Sequence, residues 1–353
     1  MHQAQDRAVN RRRASIAALA CLLWGLPAAS PARSVVDAAG RTVELPERVE
    51  RVAGTAPPPT LLVYIVAPEL LASVDTPVES SFFASGTKFL LPAFKKLPAV
   101  GGWHGAARGA NMESLLALNP QVVIAWRNSF VMEPVLRSFE RVHVPVVFVE
   151  EDRVADIPEA IRLVGQTVGR EAQGNTLADE ALRRLDAVRK RVAGIPESGR
   201  PTVYYAVGSD GLMTQFGDSF HYDPILVAGG KSVFPGDQAT MGGLERVSLE
   251  EILVKNPEVI VTPDAEFFAS VGKDPRWADV KAVRDNRVYL VPRDPLNFID
   301  RPPSFMRILG VQWLADVLYP GGPTSLVQET VSFYRDFLHV SISEEEARKL
   351  LGR

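Results

Sequence analysis

The chain has 353 residues, with 39 basic and 42 acidic side chains and a single cysteine, Cys21. This slightly acidic balance offers no basic surface for nucleic acid or an anionic membrane, and one thiol excludes a disulfide framework or a multi-thiolate metal site. At this length one ordinary core does not suffice, so two lobes are expected.

The first 32 residues read as an export signal. Arg11-Arg12-Arg13 precede an apolar run from Ala14 to Leu26, and Pro27-Ala28-Ala29-Ser30-Pro31-Ala32 supplies a small-residue cleavage region. A run of roughly 13 apolar residues falls short of the roughly 20 that span a bilayer. Ala18-Leu19-Ala20-Cys21 is a poor lipobox inside that run, so a lipid anchor at Cys21 is not expected. The expected mature chain begins near Arg33, in the periplasm. It has no thiol and retains 35 basic and 41 acidic side chains, a net charge of about −6.

An internal repeat organises the remainder. Asn111-Met112-Glu113-Ser114-Leu115-Leu116-Ala117-Leu118-Asn119-Pro120-Gln121-Val122-Val123-Ile124 aligns without a gap on Ser248-Leu249-Glu250-Glu251-Ile252-Leu253-Val254-Lys255-Asn256-Pro257-Glu258-Val259-Ile260-Val261. Each copy starts on a helix N-cap residue, runs one short helix and stops at Asn-Pro, where proline disfavours helix in the preceding residue. A buried strand follows in each. Between the copies, Glu171 to Ala193 carries a partial apolar stripe at Leu177, Leu182, Leu185 and Val188 and predicts one long helix, ended by Gly194-Ile195-Pro196. At 1.5 Å per residue it would extend about 34 Å, enough to bridge two small lobes.

Short β-branched runs at 122–125, 144–149, 203–206, 259–262 and 288–291 alternate with helical stretches, the pattern of mainly parallel sheets covered by helices. The expected fold is therefore α/β: two pseudo-symmetric lobes, 33–170 and 197–353, joined by a rigid helical segment, 171–196. Ligands of open α/β sheets gather beyond the carboxyl ends of strands. That directs attention to Trp126-Arg127, Val207-Gly208-Ser209, Pro263-Asp264 and the segment after Pro292.

Three stretches carry a resemblance to a known family. Asn111 through Arg127 resembles the matching stretch of periplasmic cobalamin-binding proteins. Asp37-Ala38-Ala39-Gly40-Arg41-Thr42-Val43-Glu44-Leu45-Pro46 resembles the opening strand pair of iron-siderophore and cobalamin binders. Ala228-Gly229-Gly230-Lys231-Ser232-Val233-Phe234 resembles their Ala-Gly-Gly turn. The likeness covers nearly all of the mature chain and is to the periplasmic substrate-binding proteins of ABC importers, of the helical-backbone type. It implies reversible capture of a metal chelate in an interlobe cleft, with no intrinsic cofactor and no catalysis. Delivery is then to a permease dimer driven by an ATPase, and the protein is expected to be a monomer. A surface glutamate on each lobe pairs with permease arginines in this family; the matching positions are Glu113 and Glu250, related by the repeat.

The same resemblance implies a cleft lined by Trp103, His104, Trp126, Arg127, Tyr204, Tyr205, Phe298 and Arg301. Aromatic rings suit flat or bulky chelates, and a guanidinium at Arg301 suits an anionic group. Tyr204 and Tyr205 are neighbours on one strand, so one of them faces a given side. An imidazole at His104, in Gly101-Gly102-Trp103-His104-Gly105, would complete the shell of a chelated nickel, cobalt or iron ion, with His221 ranked behind it. Asn297 stands where cobalamin binders carry aspartate, a departure that bears on cobalamin as the ligand. Ferric siderophores, haem, corrinoids and nickel or cobalt chelates remain open, with a molybdate-like oxyanion as the alternative ligand.

One rival reading is enzymatic. Phe216-Gly217-Asp218-Ser219 resembles the nucleophile block of Gly-Asp-Ser esterases, and Asp336-Phe337-Leu338-His339 has their Asp-x-x-His spacing, which together would form a Ser219, Asp336, His339 triad. The block sits in mid-chain rather than after a first strand, and no Gly-x-Asn-Asp block accompanies it.

Overall fold

The computed structural model describes residues 33–80, 83, 86–104, 107–128, 131–236, 242–322 and 325–353. The expected signal, Cys21 included, lies outside the described residues. The chain opens with an antiparallel hairpin of β1 (Arg33–Val36) and β2 (Thr42–Leu45). Asp37 makes the turn, its Oδ1 accepting from the backbone N–H of Ala39 at 3.0 Å and of Arg41 at 2.9 Å, the local bonding that suits aspartate to turns.

The first lobe continues with β3 (Val52–Gly54), α1 (Pro57–Val66), the hairpin β4 (Gly101–His104) and β5 (Ala107–Ala110), and α2 (Met112–Ala117). Then come β6 (Val122–Trp126), α3 (Met132–Phe139), β7 (Val146–Val149) and α4 (Ile157–Val168). Strands β3, β6 and β7 form a parallel sheet with β6 in the centre. Every residue of β6 and β7 is buried, as covering both faces with helices requires.

Helix α5 (Glu171–Ala193) runs over the residues its apolar stripe predicts. It lies so close to α4 that a Cβ on Gly174 would stand 3.0 Å from the Gly165 Cα. Its buried Arg184 reaches the C-terminal helices described next, donating to Glu329 Oε2 at 2.7 Å and Ser332 Oγ at 2.8 Å.

The second lobe contains β8 (Thr202–Tyr205), β9 (Met213–Gln215), α6 (Asp223–Val227), β10 (Lys231–Ser232), β11 (Leu244–Arg246), α7 (Leu249–Lys255) and β12 (Val259–Thr262). It continues with α8 (Ala265–Val271), α9 (Lys281–Arg284) and β13 (Val288–Leu290), after which the chain closes with α10 (Met306–Leu318), α11 (Leu326–Leu338) and α12 (Glu344–Leu350). Its sheet, in the order β10-β8-β12-β13, is wholly parallel. Almost all of α10 is buried, and each large apolar side chain so covered contributes about 1.5–3 kcal/mol. Among the described residues no helix is long and apolar enough to cross a membrane.

The two copies of the repeat are structurally equivalent. Asn119 and Asn256 both adopt left-handed backbone, at φ 50° and 46°, the conformation asparagine tolerates best among residues with a side chain. The next position but one anchors the neighbouring strand in each lobe: Gln121 Oε1 accepts from the Arg51 N–H at 3.1 Å, and Glu258 Oε2 from the Thr202 N–H at 2.9 Å. The strands that follow, β6 and β12, are central in their sheets. The fold is thus two α/β lobes built on one plan, as the duplicated segments predict.

Candidate functional site

The carboxyl end of β6 lies at the junction of the lobes. Trp126, the last residue of β6, is 2% exposed; it packs against Ala56 and meets Phe220 of the second lobe edge-on, ring centroids 5.6 Å apart at 89°. The Phe220 ring in turn lies over the His221 imidazole at 4.0 Å.

Beneath Phe220 is a buried polar nest. His221 Nδ1 stands 2.7 Å from Asp300 Oδ1, a charge-assisted contact. Arg307, wholly buried on α10, donates to the carbonyls of Ile299 (3.0 Å) and Phe220 (3.1 Å), and its Nη2 lies 3.4 Å from Asp300 Oδ1. Burial alone would raise the Asp300 pKa, but the charge and hydrogen bond of His221, with Arg301 and Arg307, bring it down to about 2. Asn297 Oδ1 accepts from the N–H groups of Ile299 (2.8 Å) and Asp300 (3.1 Å), so the residue that departs from the cobalamin-binder aspartate holds this loop in shape.

Arg301 follows in left-handed backbone (φ 59°), uncommon for a residue with a side chain. Its Nη2 donates to the Gly242 carbonyl, and the Gln215 amide, oriented to satisfy both neighbours, accepts from Arg301 and donates to Gly243. Buried polar groups nearly always have partners, yet Tyr205 Oη and Trp126 Nε1 make no hydrogen bond, while Asp300 Oδ2 and Arg301 Nε face each other as an ion pair at 3.6 Å.

Arg307 and Arg153 tie the lobes together. Arg307 Nη1 donates to the Asp152 carbonyl at 3.0 Å, and Arg153 Nη1 approaches Asp223 Oδ1 at 3.4 Å while the Val154 N–H donates to Asp223 Oδ2 at 2.7 Å. Beside this seam the Glu151 carboxyl is buried without a hydrogen-bond partner. Burial pushes its pKa well above the carboxylate range; Arg307 opposes this, and Asp152 and Glu150 add to it. Arg127 pairs with Glu150 at the edge of the same region.

The first lobe supplies a second polar group. His104, at the end of β4, has its Nε2 3.2 Å from Asp75 Oδ2 and 3.2 Å from Thr76 Oγ. The Asp75 carboxylate, 4% exposed, also accepts from Thr60 Oγ and Thr76 Oγ, each at 2.7 Å.

The structure thus brings Trp126, Tyr205 and Arg301 to the lobe junction, with Arg127 at its edge and His104 on the first lobe. Trp103 belongs instead to the first-lobe core, 5.5 Å from Phe139, because alternation along β4 sends it opposite to His104. Tyr204 likewise enters the second-lobe core between Phe234 and Trp277, its hydroxyl donating to the Gly211 carbonyl at 2.7 Å. Phe298 is fully buried under α10, its carbonyl against Gly310. Glu113 and Glu250 are exposed in the first turns of α2 and α7, and neither pairs with a basic side chain among the described residues.

The esterase reading is corrected. Asp336 is taken by Arg335 at 2.8 Å, His339 Nε2 lies 3.3 Å from the Tyr64 carbonyl, and Ser219 is wholly buried, its Oγ accepting from the His221 N–H. The three side chains form no relay. Sequence reasoning did not single out Phe220, Asp75, Asp300, Glu151 or Arg307. The first two lie in loops without periodicity, and Arg307 sits in a helix apolar on all sides, where a lone arginine was the available signal.

Comparison with known proteins bears on this geometry. The family model described as "Periplasmic binding protein" matches residues 104–295. An ABC transporter solute binding protein from Sulfurospirillum deleyianum is 37% identical, superposes with a TM-score of 0.86, and the match covers 91% of this chain and 99% of that one. The molybdate-binding protein MolA of Haemophilus influenzae is 24% identical over 94% of this chain and 98% of its own length; its molybdate-bound structure superposes with a TM-score of 0.71. A vitamin B12-binding protein from Yersinia pestis is 24% identical over 47% of this chain and 56% of its own.

Proposed function

The chain belongs to the periplasmic binding protein family, and from that membership we propose that it captures a small metal complex between its lobes for an ABC importer. It releases the complex unchanged to a permease dimer driven by an ATPase. The lobes are 33–170 and 197–353, joined through 171–196; the signal 1–32 directs export to the periplasm, where the protein acts as a monomer. Trp126, Phe220, Tyr205 and Arg301 form the ligand contacts, with His104 and Arg127 flanking them. Glu113 and Glu250 dock the permease.

The observation that carries this reading is that two buried polar atoms, Tyr205 Oη and Trp126 Nε1, make no hydrogen bond, the second of them in the aromatic contact between the lobes. Such atoms need a polar partner, and the flat rings beside them suit a bulky ligand. The start of α1 speaks for a complex over a bare oxyanion. Ala56, its N-cap, touches Trp126 and Phe220, and a helix start is ordinarily an anion site because its first N–H groups are unpaired. Here Pro57, Pro58 and Pro59 remove three of those donors. The oxyanion alternative retains the support of MolA, a molybdate-binding protein matched over nearly the whole chain.

Titration with a ferric catecholate, haemin, aquocobalamin, nickel(II)–histidine and molybdate, read by tryptophan fluorescence, decides between them. A metal complex is expected to quench Trp126, with the signal lost in Trp126→Phe and affinity lowered about tenfold or more in Arg301→Ala, the loss of one charged hydrogen bond. Binding of molybdate with none of the complexes would overturn the reading.

A further inference from the structure

We propose that Arg307 is the positioning residue of the ligand site: its guanidinium, without touching the ligand, holds in register the three loops that carry Phe220, Arg301 and the carboxylate partner of Arg127. This deepens the capture reading and rests on it.

Arg307 is the second residue of α10 and is wholly buried. A guanidinium keeps its charge and carries five N–H donors in a fixed fork, so a buried one needs five acceptors. All five are present. Nε donates to the Ile299 carbonyl at 3.0 Å, Nη1 to the carbonyls of Asp152 at 3.0 Å and Glu151 at 3.5 Å, and Nη2 to the Phe220 carbonyl at 3.1 Å and Asp300 Oδ1 at 3.4 Å. With every donor engaged and the group buried, none is left for a ligand. Arg307 acts on the site through the groups it holds.

Each of its acceptors sits in a loop that carries the site. Glu150, beside Glu151 and Asp152, pairs with Arg127. Phe220 is the ring that meets Trp126 across the junction, and it lies 5.9 Å from the Arg307 guanidinium carbon. Asp300 passes the hold to Arg301, its Oδ2 standing 3.6 Å from Arg301 Nε. The first loop belongs to one lobe and the other two to the second, so a single planar group sets the spacing of contacts supplied from both sides. An ammonium with three donors on one atom cannot reproduce that fork. Geometry as well as charge is therefore what Arg307 supplies, and binding contacts tolerate displacements of only about 0.5 Å.

Two measurements test this. Fluorine NMR of ligand-free protein labelled with fluorotryptophan, its signals assigned by their loss in Trp103→Phe, Trp126→Phe and Trp277→Phe, compares the wild type with Arg307→Lys and Arg184→Lys. Arg184 is the control, an equally buried guanidinium that shares no partner with Arg307. In Arg307→Lys the Trp126 signal is expected to shift or broaden while those of Trp103 and Trp277, in the lobe cores, stay in place; in Arg184→Lys all three stay. A Trp126 signal unmoved by Arg307→Lys, or three signals moving together, would overturn the proposal. Second, the four metal complexes and molybdate are titrated into the same three proteins. The probe that binds is expected to lose about tenfold or more in affinity in Arg307→Lys and to stay within about twofold in Arg184→Lys. Unchanged affinity in Arg307→Lys, or equal losses in the two variants, would sink this assignment and leave the capture reading intact. Should Arg307→Lys fail to fold, a crystal structure of the wild type with that probe decides. Arg307 is expected to bond both lobes clear of the ligand; contact with the ligand, or separation from the Asp152 or Phe220 carbonyl, would overturn the proposal. Binding of none of the five probes would sink both readings.

Discussion

Glu151 sits at the seam between the lobes with both carboxyl oxygens lacking a hydrogen-bond partner. Burial favours its protonated form, and the Asp152 and Glu150 charges reinforce this against Arg307. A carboxyl whose folded pKa lies above its unfolded value binds more protons when folded, so its contribution is complete below about pH 4.5 and is lost as pH rises through the folded pKa. Glu151→Gln removes that dependence. The variant is expected to gain on the wild type by up to about 1.4 kcal/mol per pH unit above pH 4.5, read by denaturant unfolding at pH 5, 6, 7 and 8. A stability difference that does not change with pH would mean that Arg307 keeps Glu151 ionised. None of this was visible in the sequence, where Glu150-Glu151-Asp152 is an ordinary acidic run; the seam exists only once Arg307, far along the chain, has folded against its backbone carbonyls.

At the scale of elements, the packing of helix α5 depends on two glycines. Gly165 and Gly174 let α4 and α5 approach until a Cβ on either would stand about 3 Å from backbone of the other. Gly174→Val is expected to cost about 1–3 kcal/mol through overpacking. Gly194→Ala, at the helix C-cap with right-handed backbone and open space around it, is expected to be neutral or to gain about 0.4–1 kcal/mol. Thermal unfolding of the two variants checks the contrast, and equal effects would contradict the account of helix contact. The helix itself was legible, because its apolar stripe and its Gly-Ile-Pro stop are local signals. The role of Gly174 was not legible, since close packing against Gly165 has no local signature. The hairpin β4–β5 shows the opposite failure: as a glycine-rich loop it would expose both Trp103 and His104, whereas as a strand it must send them to opposite faces.

At the scale of the whole molecule, the duplication was the most legible feature. The two Asn-Pro units recur with left-handed asparagines and equivalent anchors to the neighbouring strand. The lobes follow from them; the contents of the cleft do not, because Phe220, Asp75 and Asp300 meet their partners only through tertiary folding. The repeat also places an exposed glutamate on each lobe. Replacing Glu113 and Glu250 together by alanine is expected to leave ligand affinity within about twofold, surface changes of this kind being nearly neutral, while abolishing stimulation of the reconstituted transporter's ATPase. Full stimulation by the double variant would remove both from the docking surface.

The central claim is that an intact metal complex rests between the lobes. Native mass spectrometry of the protein isolated from its own periplasm measures this directly. The account predicts one metal-containing adduct per chain, lost in Arg301→Ala; an adduct with the mass of a bare oxyanion, or one retained in that variant, would contradict it.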